Sequence, residues 1–322
     1  QPTVMRKLIN TYADSEGNML VGPEIVKTVQ ECDRIYILAA GTSYNAGFAS
    51  KAMLEKLTDT PVELGIASEW GYNMPLLSKK PMFILLSQSG ETADSRQVLV
   101  KANQMGIPSL TVTNVPGSTL SREATYTMLL HAGPEIAVAS TKAYTAQIAA
   151  LAFLAKAVGE ANGKKEALEF DLVHELSIVA QSIEATLSEK DSISEKVEAL
   201  LKDTRNAFYI GRGNDYYVAM EASFQGCFTH SDRPSCFSVS KDHFINLIQV
   251  NLYGSFFTHL LINRDRFFSW CFACSTQTSH NLIVFWCYKE IVNADVNRAW
   301  CFLSHTFCQF FLGYNQSIWR IS

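Results

Sequence analysis

Ser87-Gln88-Ser89-Gly90-Glu91-Thr92 packs three hydroxyls, a carboxamide and one glycine into six residues, between the apolar run Met82-Phe83-Ile84-Leu85-Leu86 and a helix-like segment. The chemistry this composition serves is anion binding. Small hydroxyl residues and a glycine let backbone N–H groups approach a phosphate at a helix N-terminus, where unpaired amides and the helix dipole favour negative charge. The competing reading is a capped turn with no ligand. A second turn of the same kind, Gly41-Thr42-Ser43, follows Arg34-Ile35-Tyr36-Ile37-Leu38-Ala39-Ala40, although Gly-Thr-Ser is also a common strand-to-helix turn. Two such turns in one βα array predict a phosphorylated ligand at the carboxyl ends of parallel strands.

The elements that must position these turns are legible as alternating patterns. Apolar runs bounded by turn residues predict strands at Arg34 to Ala40, Val62 to Ile66, Met82 to Ser87, Ser109 to Thr113 and Tyr126 to Leu130. Continuous apolar runs suit a parallel sheet covered on both faces. Helical patterns fall near Ala46 to Leu57, Ala93 to Met105 and Ala143 to Val158, so the economical fold is α/β with a doubly wound parallel sheet. From Lys164 to Lys202 the chain is charged and amphipathic, which reads as helical connectors. Ala207-Phe208-Tyr209-Ile210-Gly211-Arg212-Gly213 then repeats the strand and glycine turn of residues 35 to 41, as if a second copy of the fold began there. The division expected is a first domain at 1–163, a connector at 164–203 and a second domain at 204–322.

That second copy is interrupted. Of the eight cysteines only Cys32 precedes residue 223, whereas four of five tryptophans and fourteen of nineteen phenylalanines follow it. Phe224 to Ser322 shows no alternating pattern and no helix caps, and its mix of Phe, Cys, Trp, Ser and His resembles translation in a shifted reading frame. The alternatives are a divergent domain or a membrane segment. Phe244 to Asn263 carries no formal charge, but Asn246, Gln249, Asn251, His259 and Asn263 argue against a span. Cys271-Phe272-Ala273-Cys274 has metal-like spacing without a second pair, so no metal is expected. A net charge of −4 leaves no nucleic-acid footprint. The start, Gln1-Pro2-Thr3-Val4-Met5-Arg6, has no apolar core of a signal peptide and reads as a processed or cut-out chain. The scarcity of early cysteine fits a reducing, cytoplasmic setting.

Four runs taken together carry a resemblance: Leu38-Ala39-Ala40-Gly41-Thr42-Ser43-Tyr44-Asn45, Ser87-Gln88-Ser89-Gly90-Glu91-Thr92-Ala93-Asp94, Asn114-Val115-Pro116-Gly117-Ser118, and Gly133-Pro134-Glu135-Ile136-Ala137-Val138-Ala139-Ser140-Thr141-Lys142-Ala143. In this order they resemble the isomerase half of the glutamine:fructose-6-phosphate aminotransferase family, which carries two sugar isomerase (SIS) domains of flavodoxin-like, three-layer form. The similarity runs through residues 1 to 223. It implies that Ser87, Gln88, Ser89 and Thr92 hold a sugar phosphate with Thr42 and Ser43 beside them, and that Val138 and Ser140 touch the sugar chain. Read bottom-up, Val138 is equally a core valine and Lys142 a solvated lysine of a first helical turn.

The resemblance also implies a conversion of fructose 6-phosphate to glucosamine 6-phosphate, a homodimer, a glutaminase domain as partner, no cofactor, no nucleic acid and no membrane. Here the chain departs from the pattern. The family's Lys-x-x-Glu element, whose lysine attacks the sugar carbonyl and whose glutamate moves the proton between C1 and C2, falls at Gln225 and Phe228. Its ring-opening histidine and C-terminal lysine have no counterpart, so the catalytic residues are unassigned. With no cysteine-nucleophile domain before residue 1, the expectation is use of free ammonia or isomerisation alone. The competing expectation is a non-catalytic SIS module that senses a sugar phosphate. A single-SIS aldose-ketose isomerase is a third, weakened by the second copy beginning at Ala207.

Overall fold

The computed structural model describes residues 1–135, 140–201, 206–209, 211–229, 269–275 and 281–288. Five strands, β1 (Arg34–Ala39), β2 (Val62–Ile66), β3 (Pro81–Ser87), β4 (Ser109–Thr113) and β5 (Tyr126–Leu129), form one sheet in the order β2-β1-β3-β4-β5 with every pairing parallel. Each expected strand is present, with ends shifted by one residue at most.

Within the strands the side chains alternate between two layers. Ile35, Ile37, Ala39, Met82, Ile84, Leu86, Leu110 and Val112 enter one core, while Tyr36, Leu38, Phe83 and Leu85 enter the other. This is the two-residue period of a pleated strand buried on both faces, and it explains why the sequence shows unbroken apolar runs. The larger core is closed by α1 (Pro2–Tyr12), α2 (Pro23–Glu31), α3 (Gly41–Thr58), α7 (Lys142–Ala161) and α9 (Leu172–Ser188), and the smaller by α4 (Ala67–Tyr72), α5 (Ala93–Gln104) and α6 (Thr119–Glu123). Trp70 of α4 meets Tyr36 and Phe83 at ring-centroid distances of 5.3 and 6.1 Å, filling the smaller core with one tilted and one edge-on aromatic pair.

Helix α7 is buried almost throughout, from Ala143 to Gly159. Its run of alanines and leucines, with high helix propensity, lets it lie against α3 and the sheet with no solvated face. Beyond it, α8 (Lys165–Glu169), α9 and α10 (Lys190–Leu201) are the expected helical connectors, and β6 (Asn206–Tyr209) with α11 (Asn214–Thr229) repeats the strand–glycine–helix unit of β1 and α3.

Two findings differ from the sequence reading. Helix α3 starts at Gly41, five residues before the expected Ala46, so Thr42 and Ser43 form its first turn and not a preceding loop. A polar first turn carries no apolar period and is invisible to a pattern search. Residues 224–322, read as patternless, contain β7 (Ser269–Ser275) and β8 (Asn281–Tyr288); β8 pairs antiparallel with β7 and parallel with β6. Asn281–Tyr288 is rich in β-branched and aromatic residues, the composition that suits a pleated strand.

Candidate functional site

The order β2-β1-β3-β4-β5 reverses direction between β1 and β3, and ligands of open α/β sheets bind outside the carboxyl ends of the two strands at such a point. Leu38 lies opposite Leu85 in the shared register, so the chain leaves β1 toward Gly41-Thr42-Ser43 and β3 toward Gln88 to Thr92 side by side. The fold therefore brings the two hydroxyl-rich turns to one crevice.

The turn after β3 is tied to itself. The Ser87 hydroxyl lies 2.8 Å from Thr92 Oγ1 and accepts the Gly90 N–H at 3.0 Å, while Ser89 Oγ accepts from the Glu91 N–H at 3.2 Å. Gly90 has φ +66 and its carbonyl accepts from the Leu120 N–H at 3.0 Å; a Cβ there would sit 2.0 Å from Ser118 Oγ. Ser87 is buried at 3 % exposure, whereas Gln88, Ser89 and Thr92 are half-buried at the turn's outer surface. The Thr92 hydroxyl points back to Ser87 and does not cap α5, so the first-turn amides of α5 are left facing the crevice. Glu91 turns away to accept from the Thr119 N–H at 2.8 Å, and the Thr119 hydroxyl together with that N–H holds its carboxyl below the usual range.

A buried polar cluster forms the other wall. Val218, Glu221, Ala222 and Gln225 of α11 are all buried, at a spacing of three, four and seven residues that places them on one helix face. That face lies on α3, where Tyr217 also stacks on Phe48 at 4.9 Å. Asn45 Nδ2 donates to Glu221 Oε2 at 2.8 Å, and Gln225 Nε2 donates to Glu221 Oε1 at 2.5 Å, to Thr42 Oγ1 at 3.2 Å and to the Ser140 carbonyl at 3.0 Å. Ser43 Oγ accepts from Gln147 Nε2 of α7 at 2.8 Å. Thr42, Ser43 and Ser140, expected at the site, are thus joined by Gln225 and Gln147. Val138 lies outside the described residues, as does the side chain of Phe228.

Burial sets the electrostatics of this wall. It pushes the Glu221 carboxyl up to about 7, against the opposing hydrogen bonds from Asn45, Gln225 and Thr42. Asp215, in the first turn of the same helix, is likewise pushed up to about 7 by burial. The Tyr144 hydroxyl, fully buried on α7, is raised by desolvation and by the nearby Glu221 charge. Glu135 Oε1 accepts from the Thr141 and Lys142 N–H groups at 2.9 and 3.3 Å and so caps α7; the Lys142 ammonium is exposed and donates to the Pro134 carbonyl at 2.6 Å.

Neither Asn45, which ends the run Leu38 to Asn45, nor Glu221 stands out in the sequence as a site residue. The signal that marks Glu221 is its place in the 218, 221, 222, 225 stripe, where a solvated glutamate does not belong. No group of three or more His, Cys, Asp or Glu able to hold a metal occurs among the described residues, and no helix among them is long and apolar enough to cross a membrane. The arrangement can hold an anion at the α5 N-terminus and an uncharged polar group beside Thr42, Ser140 and Gln225. Gln225 itself is neither nucleophile nor base.

Residues 28–157 match the SIS domain family. The chain is 88% identical over 225 residues to the glutamine--fructose-6-phosphate aminotransferase [isomerizing] of Streptococcus pyogenes serotype M6, and 86% identical over 225 residues to that of Streptococcus mutans serotype c. These alignments cover 70% of this chain and 37% of each relative, so the chain spans little more than a third of their length. Among solved structures, the C-terminal domain of glucosamine-fructose-6-phosphate aminotransferase from Francisella tularensis superposes with a TM-score of 0.67 at 29% identity, over 71% of this chain and 64% of that one. The protein described as a "putative phosphosugar isomerase" from Clostridium difficile 630 superposes with a TM-score of 0.59 at 18% identity, over 69% of this chain and 62% of that one, which is a likeness of fold alone.

Proposed function

From a chain that carries a SIS domain and closely resembles part of the glutamine--fructose-6-phosphate aminotransferases, we propose a binder of fructose 6-phosphate and glucosamine 6-phosphate that belongs to the isomerase half of such an enzyme. The observation that carries this reading is the self-bonded hydroxyl turn Ser87 to Thr92 at the N-terminus of α5, set at the topological switch beside Thr42. Amides of the first helical turn, with Ser87, Gln88, Ser89 and Thr92, hold the phosphate dianion, and Thr42 and Ser43 stand beside them. Val138 and Ser140 touch the sugar chain. The parent protein would pair two such halves as a cytoplasmic homodimer and join them to a glutaminase domain.

The domain division proposed is 1–163, 164–203 and 204–322, with the last portion aberrant from residue 224. The 225-residue extent of the similarity supports this division. Gln225 and Phe228 stand where the family's lysine and glutamate are expected, so the chain binds the sugar phosphate without isomerising it. The second reading, a sugar-phosphate sensor, is favoured by one feature: the Gln225 carboxamide is fixed by Thr42, Ser140 and Glu221, as a binding group would be. Ser89→Ala combined with Thr92→Ala tests the site by calorimetric titration with fructose 6-phosphate. Binding weakened at least tenfold supports it, and unchanged affinity sinks it.

A further inference from the structure

We propose that Gln147 is a positioning residue of the sugar-phosphate site, whose carboxamide holds the Ser43 hydroxyl ready to donate its proton to the bound phosphate. The proposal rests on the reading of that crevice given above. Gln147 is fully buried on α7, in a run of alanine, isoleucine and leucine. Its Nε2 donates to Ser43 Oγ at 2.8 Å, and its Oε1 is buried with no hydrogen-bond partner among the described residues. Burying an amide with an orphaned oxygen costs stability, and an apolar side chain of the same shape would avoid that cost. The bond that the amide does make runs to a residue of the crevice, so the amide is retained for the site and not for the fold.

The consequence for Ser43 is one of direction. A serine hydroxyl has one proton to donate and two lone pairs that accept. Elsewhere on α3 the hydroxyls spend that proton on the helix itself: Ser50 Oγ donates to the Ala46 carbonyl and Thr58 Oγ1 to the Leu54 carbonyl, both at 2.8 Å. Thr42, next to Ser43, is engaged by Gln225 Nε2 at 3.2 Å and by the Glu221 carboxyl. Ser43 instead receives the Gln147 N–H on a lone pair, which leaves its proton for a ligand at the first turn of α3. An N–H donated to the oxygen also polarises the O–H and strengthens it as a donor to an anion. Without Gln147 the hydroxyl is a free rotor that can turn back onto its own helix.

The test is a double-mutant cycle on the full chain, with fructose 6-phosphate titrated calorimetrically into the wild type, Ser43→Ala, Gln147→Met and the double variant. Methionine keeps the length of the side chain and removes its donor. The expected result is a loss of affinity of about tenfold in each single variant and no greater loss in the double variant, because Gln147 acts only through Ser43. A residue that served the fold alone would act independently of Ser43, and its loss would multiply with that of Ser43→Ala. Losses that multiply, or an unchanged affinity in Gln147→Met beside a weakened Ser43→Ala, overturn the role assigned to Gln147. If Gln147→Met does not fold, Gln147→Leu takes its place, and failure of both to fold shows that the amide serves the fold and overturns the role as well. Unchanged affinity in Ser43→Ala, or a wild-type chain that binds no fructose 6-phosphate, overturns the reading of the crevice itself.

Discussion

Gly90→Ala is the substitution for which the structure makes the sharpest demand. At φ +66 any residue with a Cβ carries a strain of about 1–2 kcal/mol. The added methyl would also lie 2.0 Å from Ser118 Oγ, 2.5 Å from Ser118 Cβ and 2.8 Å from Thr113 Oγ1, all closer than van der Waals contact. Ser118 is 2 % exposed and Thr113 is fully buried, so neither can swing into solvent. Relieving such an overlap costs about 1–3 kcal/mol. The total of about 2–5 kcal/mol displaces the turn that binds Ser87 Oγ through the Gly90 N–H and Leu120 through its carbonyl. The control is Gly106→Ala, where φ is +68 but nothing lies within 4 Å of the new methyl, so only the backbone strain remains. Thermal unfolding and titration with fructose 6-phosphate on both variants separate the two terms. Gly90→Ala should lower Tm further than Gly106→Ala and weaken binding at least tenfold, while Gly106→Ala binds as wild type. Equal shifts in Tm with unchanged affinity in Gly90→Ala would refute the reasoning.

The docking of α11 should depend on pH. Glu221 and Asp215 have folded-state values raised to about 7, so each favours the folded state below its ordinary carboxyl range, and that contribution is lost as pH rises through about 7. Hydrogen exchange over Asn214–Thr229, corrected for intrinsic rates, should accordingly be faster at pH 8 than at pH 6, and equal protection would contradict the burial argument. Tyr12→Phe removes a hydroxyl that donates to the Leu129 carbonyl at 2.9 Å and accepts its N–H at 2.7 Å, tying α1 to the end of β5. Orphaning those backbone groups should cost about 1–3 kcal/mol, read as a lower denaturant midpoint; an unchanged midpoint would show that water replaces the hydroxyl.

The sheet was legible in the sequence because burial on both faces demands unbroken apolar runs such as Met82 to Leu86, bounded by turn residues. The hydroxyl turn was legible for a related reason: a turn of small polar residues is contiguous in sequence, and the hydrogen bonds within it span at most five positions. The second wall was not. Asn45 and Glu221 are 176 residues apart, and Gln147 and Ser43 are 104 apart, so each pair meets only after α3, α7 and α11 have packed. A glutamate in an otherwise ordinary helix reads as solvated until the stripe it shares with Val218, Ala222 and Gln225 is seen to be buried. The start of α3 was misplaced because Gly41-Thr42-Ser43 offers a helix no apolar side chain, yet those residues belong to the helix for the same reason that they suit a ligand: they are small and polar at a positive helix end.

The most direct test of phosphate recognition by the α5 N-terminus is a paired calorimetric titration of the wild-type chain with fructose 6-phosphate and with fructose. Charge-assisted hydrogen bonds of about 1.5–3 kcal/mol each predict that the phosphorylated sugar binds on the order of 100-fold more tightly. Equal affinities for the two sugars would contradict the account, because the turn from Ser87 to Thr92 would then contribute nothing that a phosphate requires.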